Sequence, residues 1–141
     1  MTAGKHIFNR GTLLYVVDLD TCSRESLDLA VELALGQGVR LEIIHVVDLD
    51  HVQSNPDGRS GIRLRLEALA ASLRHLKQNV ASILLFGSPE DVIAKRAREI
   101  KAKLIAFARQ DQSSAAAQAA MVKRVGSKVT CPVIVLPAAG I

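Results

Sequence analysis

Leu13-Leu14-Tyr15-Val16-Val17 runs directly into Asp18-Leu19-Asp20, and Leu41 to Val47 runs in the same way into Asp48-Leu49-Asp50. A continuous apolar run of this length, closed by polar turn formers, is the pattern of a strand covered on both faces; a strand with one wet face would alternate. Between the two runs, Leu27, Ala30, Val31, Ala34 and Leu35 fall at i, i+3, i+4, i+7 and i+8, one stripe of a helix. Ser23 is placed to cap that helix, and Gly36 and Gly38 to stop it. Two doubly buried strands joined through a helix make the parallel α/β unit.

The same alternation continues outward to the end of the chain. His51 to Gly61, rich in Ser, Asn, Pro, Asp and Gly, reads as a long connection, after which Ser60 is expected to begin a helix with the stripe Ile62, Leu66, Leu69, Leu73 and Leu76. Val80 to Phe86 is a third strand. Ser88-Pro89-Glu90-Asp91 opens the next helix with a capping residue, a proline at the first helical position and two acids facing the positive dipole end. Leu104 to Phe107 is a fourth strand, Ala115 to Val125 an alanine-rich helix closed by Gly126, and Val133 to Leu136 a fifth strand with Pro132 at its start. The order β-α-β-α-β-α-β-α-β demands parallel strands and right-handed crossovers, hence an α/β three-layer sandwich on a five-stranded parallel sheet. The pattern alone leaves the strand order open between flavodoxin-like and Rossmann-like. Either order places ligands at the carboxyl ends of the strands, where the chain order reverses.

Composition bounds the function. The 141 residues, 49% apolar and 23% charged, suit a single domain over 1–141, with residues 1–11 expected to be flexible. Three Phe, one Tyr and no Trp leave an aliphatic core and little for stacking single-stranded nucleic acid. No apolar run approaches the ~20 residues of a membrane span, the first eleven residues lack a leader's apolar stretch, and Cys22 and Cys131 cannot make a disulfide framework. A cytoplasmic protein without a membrane span is expected. The net charge is +4; its basic residues, Arg63, Arg65, Arg74 and Lys77 in one helix and Lys95, Arg96, Arg98, Lys101 and Lys103 in another, read as solvated helix faces rather than a specific nucleic-acid footprint.

The two repeated strand ends put Asp18, Asp20, Asp48 and Asp50 at one edge with His51 adjacent, either a hard-cation site or simply turn residues that cap helices. A phospho-accepting receiver is excluded, because Gly87-Ser88-Pro89 stands where its acceptor Asp follows the third strand. Asp18-Leu19-Asp20-Thr21 matches the opening of a Mg²⁺-dependent phosphatase of haloacid-dehalogenase type, with Asp18 as nucleophile and Asp20 as general acid. The late acidic pair of such enzymes is reduced to Asp111. No glycine-rich phosphate loop of the G-x-G-x-x-G or Walker kind occurs, and no nucleophile–base pair is recognisable by spacing, so no enzyme is expected.

Five pieces in order resemble the universal stress protein family across nearly the whole chain. They are Val16-Val17-Asp18 with Ser23 and a helix behind it, Ile43-Ile44-His45-Val46-Val47, Gly87-Ser88-Pro89 with Ile93, Ala102-Lys103-Leu104-Ile105-Ala106-Phe107, and Cys131-Pro132-Val133-Ile134-Val135. The resemblance implies a flavodoxin-like sheet of order 3-2-1-4-5 and a homodimer paired along the last strands, with Val133 and Val135 at the dimer edge. Nucleotide-binding members carry Gly-x-x-Gly, nine residues, then Gly-Ser or Gly-Thr after the fourth strand. Here that place reads Ala108-Arg109-Gln110-Asp111, and the later glycine falls on Met121 or on Ala119 according to register. Gly126-Ser127 lies too close to Cys131 to serve. The chain thus resembles the branch without the ATP motif. The implied function is a stress-response regulator acting through protein partners, with no cofactor. The alternative is an adenine-nucleotide binder taking ATP with Mg²⁺ at Asp18, Val46, Phe107, Ala108 and Ser113, the Ser113-Ser114 hydroxyls helping to hold a phosphate. Among single residues, His45 reads as a core histidine bonded to backbone, Cys22 as an inert thiol, Cys131 as buried at a strand start, and Phe107 as packing.

Overall fold

A computed structural model describes residues 11–18, 24–47, 56–74, 80–108 and 115–136. Five strands, β1 (Thr12–Val16), β2 (Arg40–Val47), β3 (Val80–Phe86), β4 (Leu104–Ala108) and β5 (Val133–Leu136), alternate with α1 (Arg24–Gln37), α2 (Pro56–Arg74), α3 (Pro89–Ile100) and α4 (Ala115–Gly126). Every strand pair is parallel, and the order across the sheet is β3-β2-β1-β4-β5. The flavodoxin-like order is therefore the one adopted.

The order explains the layers. From β1 to β3 the chain steps one way across the sheet, and from β3 to β5 it steps back. With crossovers of one hand, the reversal moves the helices to the opposite face. Leu27, Ala30, Val31 and Ala34 of α1, with Leu66, Ala70 and Leu73 of α2, pack on Leu13, Tyr15, Leu41, Ile43 and Ala106. Ile93 and Ala97 of α3 and Val125 of α4 pack on Leu14, Ile44, Ile105 and Phe107. Alternate residues of each strand serve the two cores, which is why the strands read as unbroken apolar runs.

Four local expectations are corrected. Leu35 is 52% exposed, because eight positions along a helix advance it roughly 80° off the stripe. α2 begins at Pro56, ahead of Ser60; proline at a first helical position needs no N–H partner and is already set to helical φ. Ser88 occupies the cap position of α3, yet its hydroxyl makes no capping bond. Glu90 and Asp91 instead reach across to α4 and beyond, Glu90 accepting from Arg124 Nε at 3.0 Å and Asp91 from Lys128 Nζ at 2.6 Å. Arg96, finally, is no part of a solvated face.

Arg96 donates two bonds to Glu42, Nε to Oε2 and Nη2 to Oε1, both at 2.8 Å. Glu42 lies within β2, opposite Leu14 of β1 and Ala81 of β3, and is 4% exposed. A carboxylate at such a place is tolerated only with a fixed counter-charge, and the planar guanidinium supplies one in two-pronged geometry. The hydrogen bonds that Arg96 donates to Glu42 outweigh burial and raise the Arg96 pKa further. The pair stitches α3 to the middle of the sheet. Arg96→Met strands the Glu42 carboxylate and is expected to cost about 2–3 kcal/mol, below the usual range for a fully buried pair because the guanidinium still touches water. Glu42→Leu with Arg96→Met should recover most of that loss, as urea denaturation of the three proteins will show.

Candidate functional site

The reversal of strand order falls between β1 and β4, and the carboxyl ends of the strands on either side of such a reversal are where open α/β sheets take their ligands. Val16 pairs with Ile44 on one side and Phe107 on the other, and the Val17 N–H donates to the Ile44 carbonyl at 2.9 Å. Asp18, half-buried, is therefore carried past the last ladder bond at this edge. His45 Nδ1 lies 3.1 Å from the Val17 carbonyl, a bond that requires the proton on Nδ1 and turns that carbonyl away from any ligand. This agrees with the reading of His45 as bonded to backbone.

Gly87 closes the edge beyond β2. Its N–H donates to the Val47 carbonyl at 3.0 Å, and its φ is +133°. A side chain there would be strained in conformation, and its Cβ would also stand 3.0 Å from Val92 Cγ1. The glycine thus lets the chain turn tightly from β3 into α3 at the carboxyl edge.

On the β4 side, Phe107 is 5% exposed and lies in the core beneath α3 and α4, so its side chain serves packing. Val46 belongs to the same layer and is half-buried. Ala108 ends β4, and its carbonyl accepts a bond from Gln118 Nε2 at 2.7 Å. Gln118 belongs to α4, so its carboxamide ties the helix back to the strand across the intervening loop. The sequence reading passed over this residue, although it is the single polar side chain in Ala115–Ala120.

Of the residues singled out for a nucleotide, Asp18, Val46 and the Phe107–Ala108 backbone are brought to one edge. Ser113, Ser114, Asp20, Asp48, Asp50, His51, Cys22 and the Ser23 cap lie outside the described residues, as does Arg109–Asp111. Among the described residues no group of three potential metal ligands occurs. Val133 and Val135 are half-buried on β5, the strand at one edge of the sheet.

Cys131, expected to be buried, sits at the opposite, amino edge, just before β5, and is only half-buried there. Burial against its apolar neighbours raises its pKa above the ordinary thiol value. Little thiolate exists at neutral pH, so the thiol is a poor nucleophile there. In a Cys22→Ser protein, alkylation of Cys131 by iodoacetamide is expected to be slower at pH 7 than that of a free cysteine, and to accelerate at a higher pH than a free cysteine does. Labelling as fast as glutathione at pH 7 would contradict the raised pKa.

With this geometry the chain was compared with known proteins. No curated protein matches it at a significant level. Among solved structures, a universal stress protein from Archaeoglobus fulgidus is 19% identical with a TM-score of 0.70, over 96% of this chain and 99% of that one. Another A. fulgidus universal stress protein structure, in complex with dAMP, is 20% identical at TM-score 0.68, over 89% and 97%. A member from Burkholderia pseudomallei is 26% identical at TM-score 0.66, over 92% and 98%. Residues 9–137 match the Universal stress protein family. The match takes in Asp18 and its strand, so the phosphatase reading, which rested on the same tetrapeptide, is not carried forward. The chain belongs to the universal stress protein family.

Proposed function

We propose that this chain is a non-catalytic regulatory protein of the stress response, homodimeric along β5, that acts by protein contact and does not bind ATP. The observation that carries the reading is Ala108-Arg109-Gln110-Asp111 directly after β4. A phosphate cradle on this edge needs backbone N–H groups presented without Cβ atoms in the way, and that demands glycines. This stretch has none, and Asp111 adds a carboxylate that repels phosphate unless a cation intervenes. The Gln118 bond to the Ala108 carbonyl supports the same view, because it anchors α4 to the strand end from within the protein.

The second reading, an adenine-nucleotide binder, is favoured by one observation: a neighbour of the same fold is described in complex with dAMP. Asp18 and the backbone at Val46 stand at the carboxyl edge of this chain's sheet, where folds of this order take ligands. In that reading Ser113 and Ser114 replace the missing glycine amides with hydroxyls, and Mg²⁺ screens Asp111.

Calorimetric titration with ATP and Mg²⁺, beside native mass spectrometry of protein purified without nucleotide, separates the two. The expected result is a dimer that gains no mass and releases no heat. A Kd in the micromolar range, about −8 kcal/mol, refutes the primary reading. In that event Asp18→Asn should weaken binding at least about tenfold through loss of a charged hydrogen bond. An unchanged affinity would remove Asp18 from the site.

A further inference from the structure

We propose that the pocket between the end of α3 and the approach to β5 binds a small organic phosphate, at the amino edge of the sheet and so apart from the carboxyl edge where Asp18 and Ala108 stand. The pocket is about 430 Å³, bounded by the turn from α3 into β4 and by the stretch from Lys128 to Cys131. Small-molecule sites run from roughly 300 to 1,000 Å³, with a mostly apolar wall and a few convergent polar groups. Ala97, Ala102, Val129 and Cys131 give this one its apolar wall, and Arg98, Lys101 and Lys128 give it charge. Among the described residues no carboxylate lines it.

Lys101 singles the pocket out. It follows the last residue of α3 with φ 53° and ψ 54°, the left-handed conformation in which helices ordinarily end on glycine. Gly11, Gly38 and Gly87 take the other positive φ angles among the described residues, and Lys101 is the one non-glycine residue there to do so. A side chain in this conformation is strained, and glycine would end the helix without the strain. Strain of this kind gathers at ligand sites, and the side chain retained in spite of it lines the pocket.

Charge identifies the head group. Lys128 is already neutralised, its Nζ lying 2.6 Å from Asp91 Oδ1 and 3.3 Å from Glu90 Oε2. Arg98 donates from Nη1 to the Lys128 carbonyl at 3.2 Å, which fixes its guanidinium against the far wall. Neither Arg98 nor Lys101 has a carboxylate partner among the described residues. Two uncompensated cations match a dianion, and the ester's carbon body falls to the apolar wall. The last carbonyls of α3 would repel an anion, but two of them are taken. The Lys101 N–H donates to the Arg98 carbonyl at 3.3 Å and the Ala102 N–H to the Ala97 carbonyl at 2.9 Å. The N–H groups of Val129 and Thr130 are in no backbone hydrogen bond among the described residues, and unpaired amides are ready donors to phosphate oxygen.

Phenyl phosphate, mainly a dianion above pH 7, is the probe. Titrated into the full chain labelled with ¹⁵N, it is expected to shift the amide signals of Ala102, Val129 and Thr130 and to saturate with a Kd of about 1 mM or below. It should also slow alkylation of Cys131 by iodoacetamide at pH 9 in the Cys22→Ser protein, since the thiol lines the pocket. Lys101→Gly keeps the helix end and removes the ammonium. Its urea midpoint is expected at or above that of the parent, while phenyl phosphate weakens about tenfold or more through loss of a charged hydrogen bond. If Lys101 merely ends the helix, the same stability comes with an unchanged affinity, and that result overturns the proposal. So do shifts that rise without saturating to roughly 10 mM, and inorganic phosphate that binds as tightly as the phenyl ester. Should Lys101→Gly fail to fold, Arg98→Gln reads the same site: a comparable loss of affinity supports the proposal, and none overturns it.

Discussion

Everything in this molecule follows from a sheet that must be covered twice. Parallel strands cannot be joined by tight hairpins, so each connection is a helix, and each helix has to lie on the sheet it leaves. Four helices share two faces, and equal coverage requires the chain to reverse direction across the sheet once. That reversal, between β1 and β4, marks the carboxyl edge as the place for a ligand, and the central strands become the apolar staves on which both cores are built. Asp18 and Ala108 reach that edge because they are the residues at which those staves run out.

The buried carboxylate among the described strand residues shows how strict the constraint is. Glu42 stands in the second strand at a position that ought to be aliphatic, and it is accepted because α3 delivers a guanidinium to both of its oxygens. Burial and pairing come as a unit there. The ion pairs of Glu90 and Asp91 with Arg124 and Lys128 are more exposed to water, and they trim the outer faces of α3 and α4 without fixing the packing.

Legibility tracked the physics of each level. Strand positions were readable because double burial writes itself as unbroken apolar runs, and the reversal could be named once the family resemblance was drawn from Val16-Val17-Asp18 and Cys131-Pro132-Val133. Leu35 misled because a stripe was extended beyond the turn at which helical drift carries it off the face. The start of α2 at Pro56 was hidden because Pro, Asp, Gly and Ser together imitate a loop, while proline is equally at home in a first helical turn. Glu42–Arg96 and Gln118–Ala108 join residues far apart in the chain, and nothing in local spacing announces a tertiary partner. At the carboxyl edge, the absence of glycine after β4 was open to view, since it is a matter of residue identity alone.

The central place of β1 has a temporal consequence. β1 leaves the ribosome first among the strands, and β2 can pair with it soon afterwards, yet its other edge waits for Leu104–Ala108, most of the chain later. Through that interval the nascent chain carries Leu13 to Val16 with half their hydrogen-bonding capacity unsatisfied, and α3 and α4 are not yet present to cover Leu14. A strand in the interior of the finished sheet is thus one whose second edge stays open longest during synthesis. Vectorial folding of this chain is governed by the arrival of β4, whose docking converts an open edge into the interior of the sheet in one step.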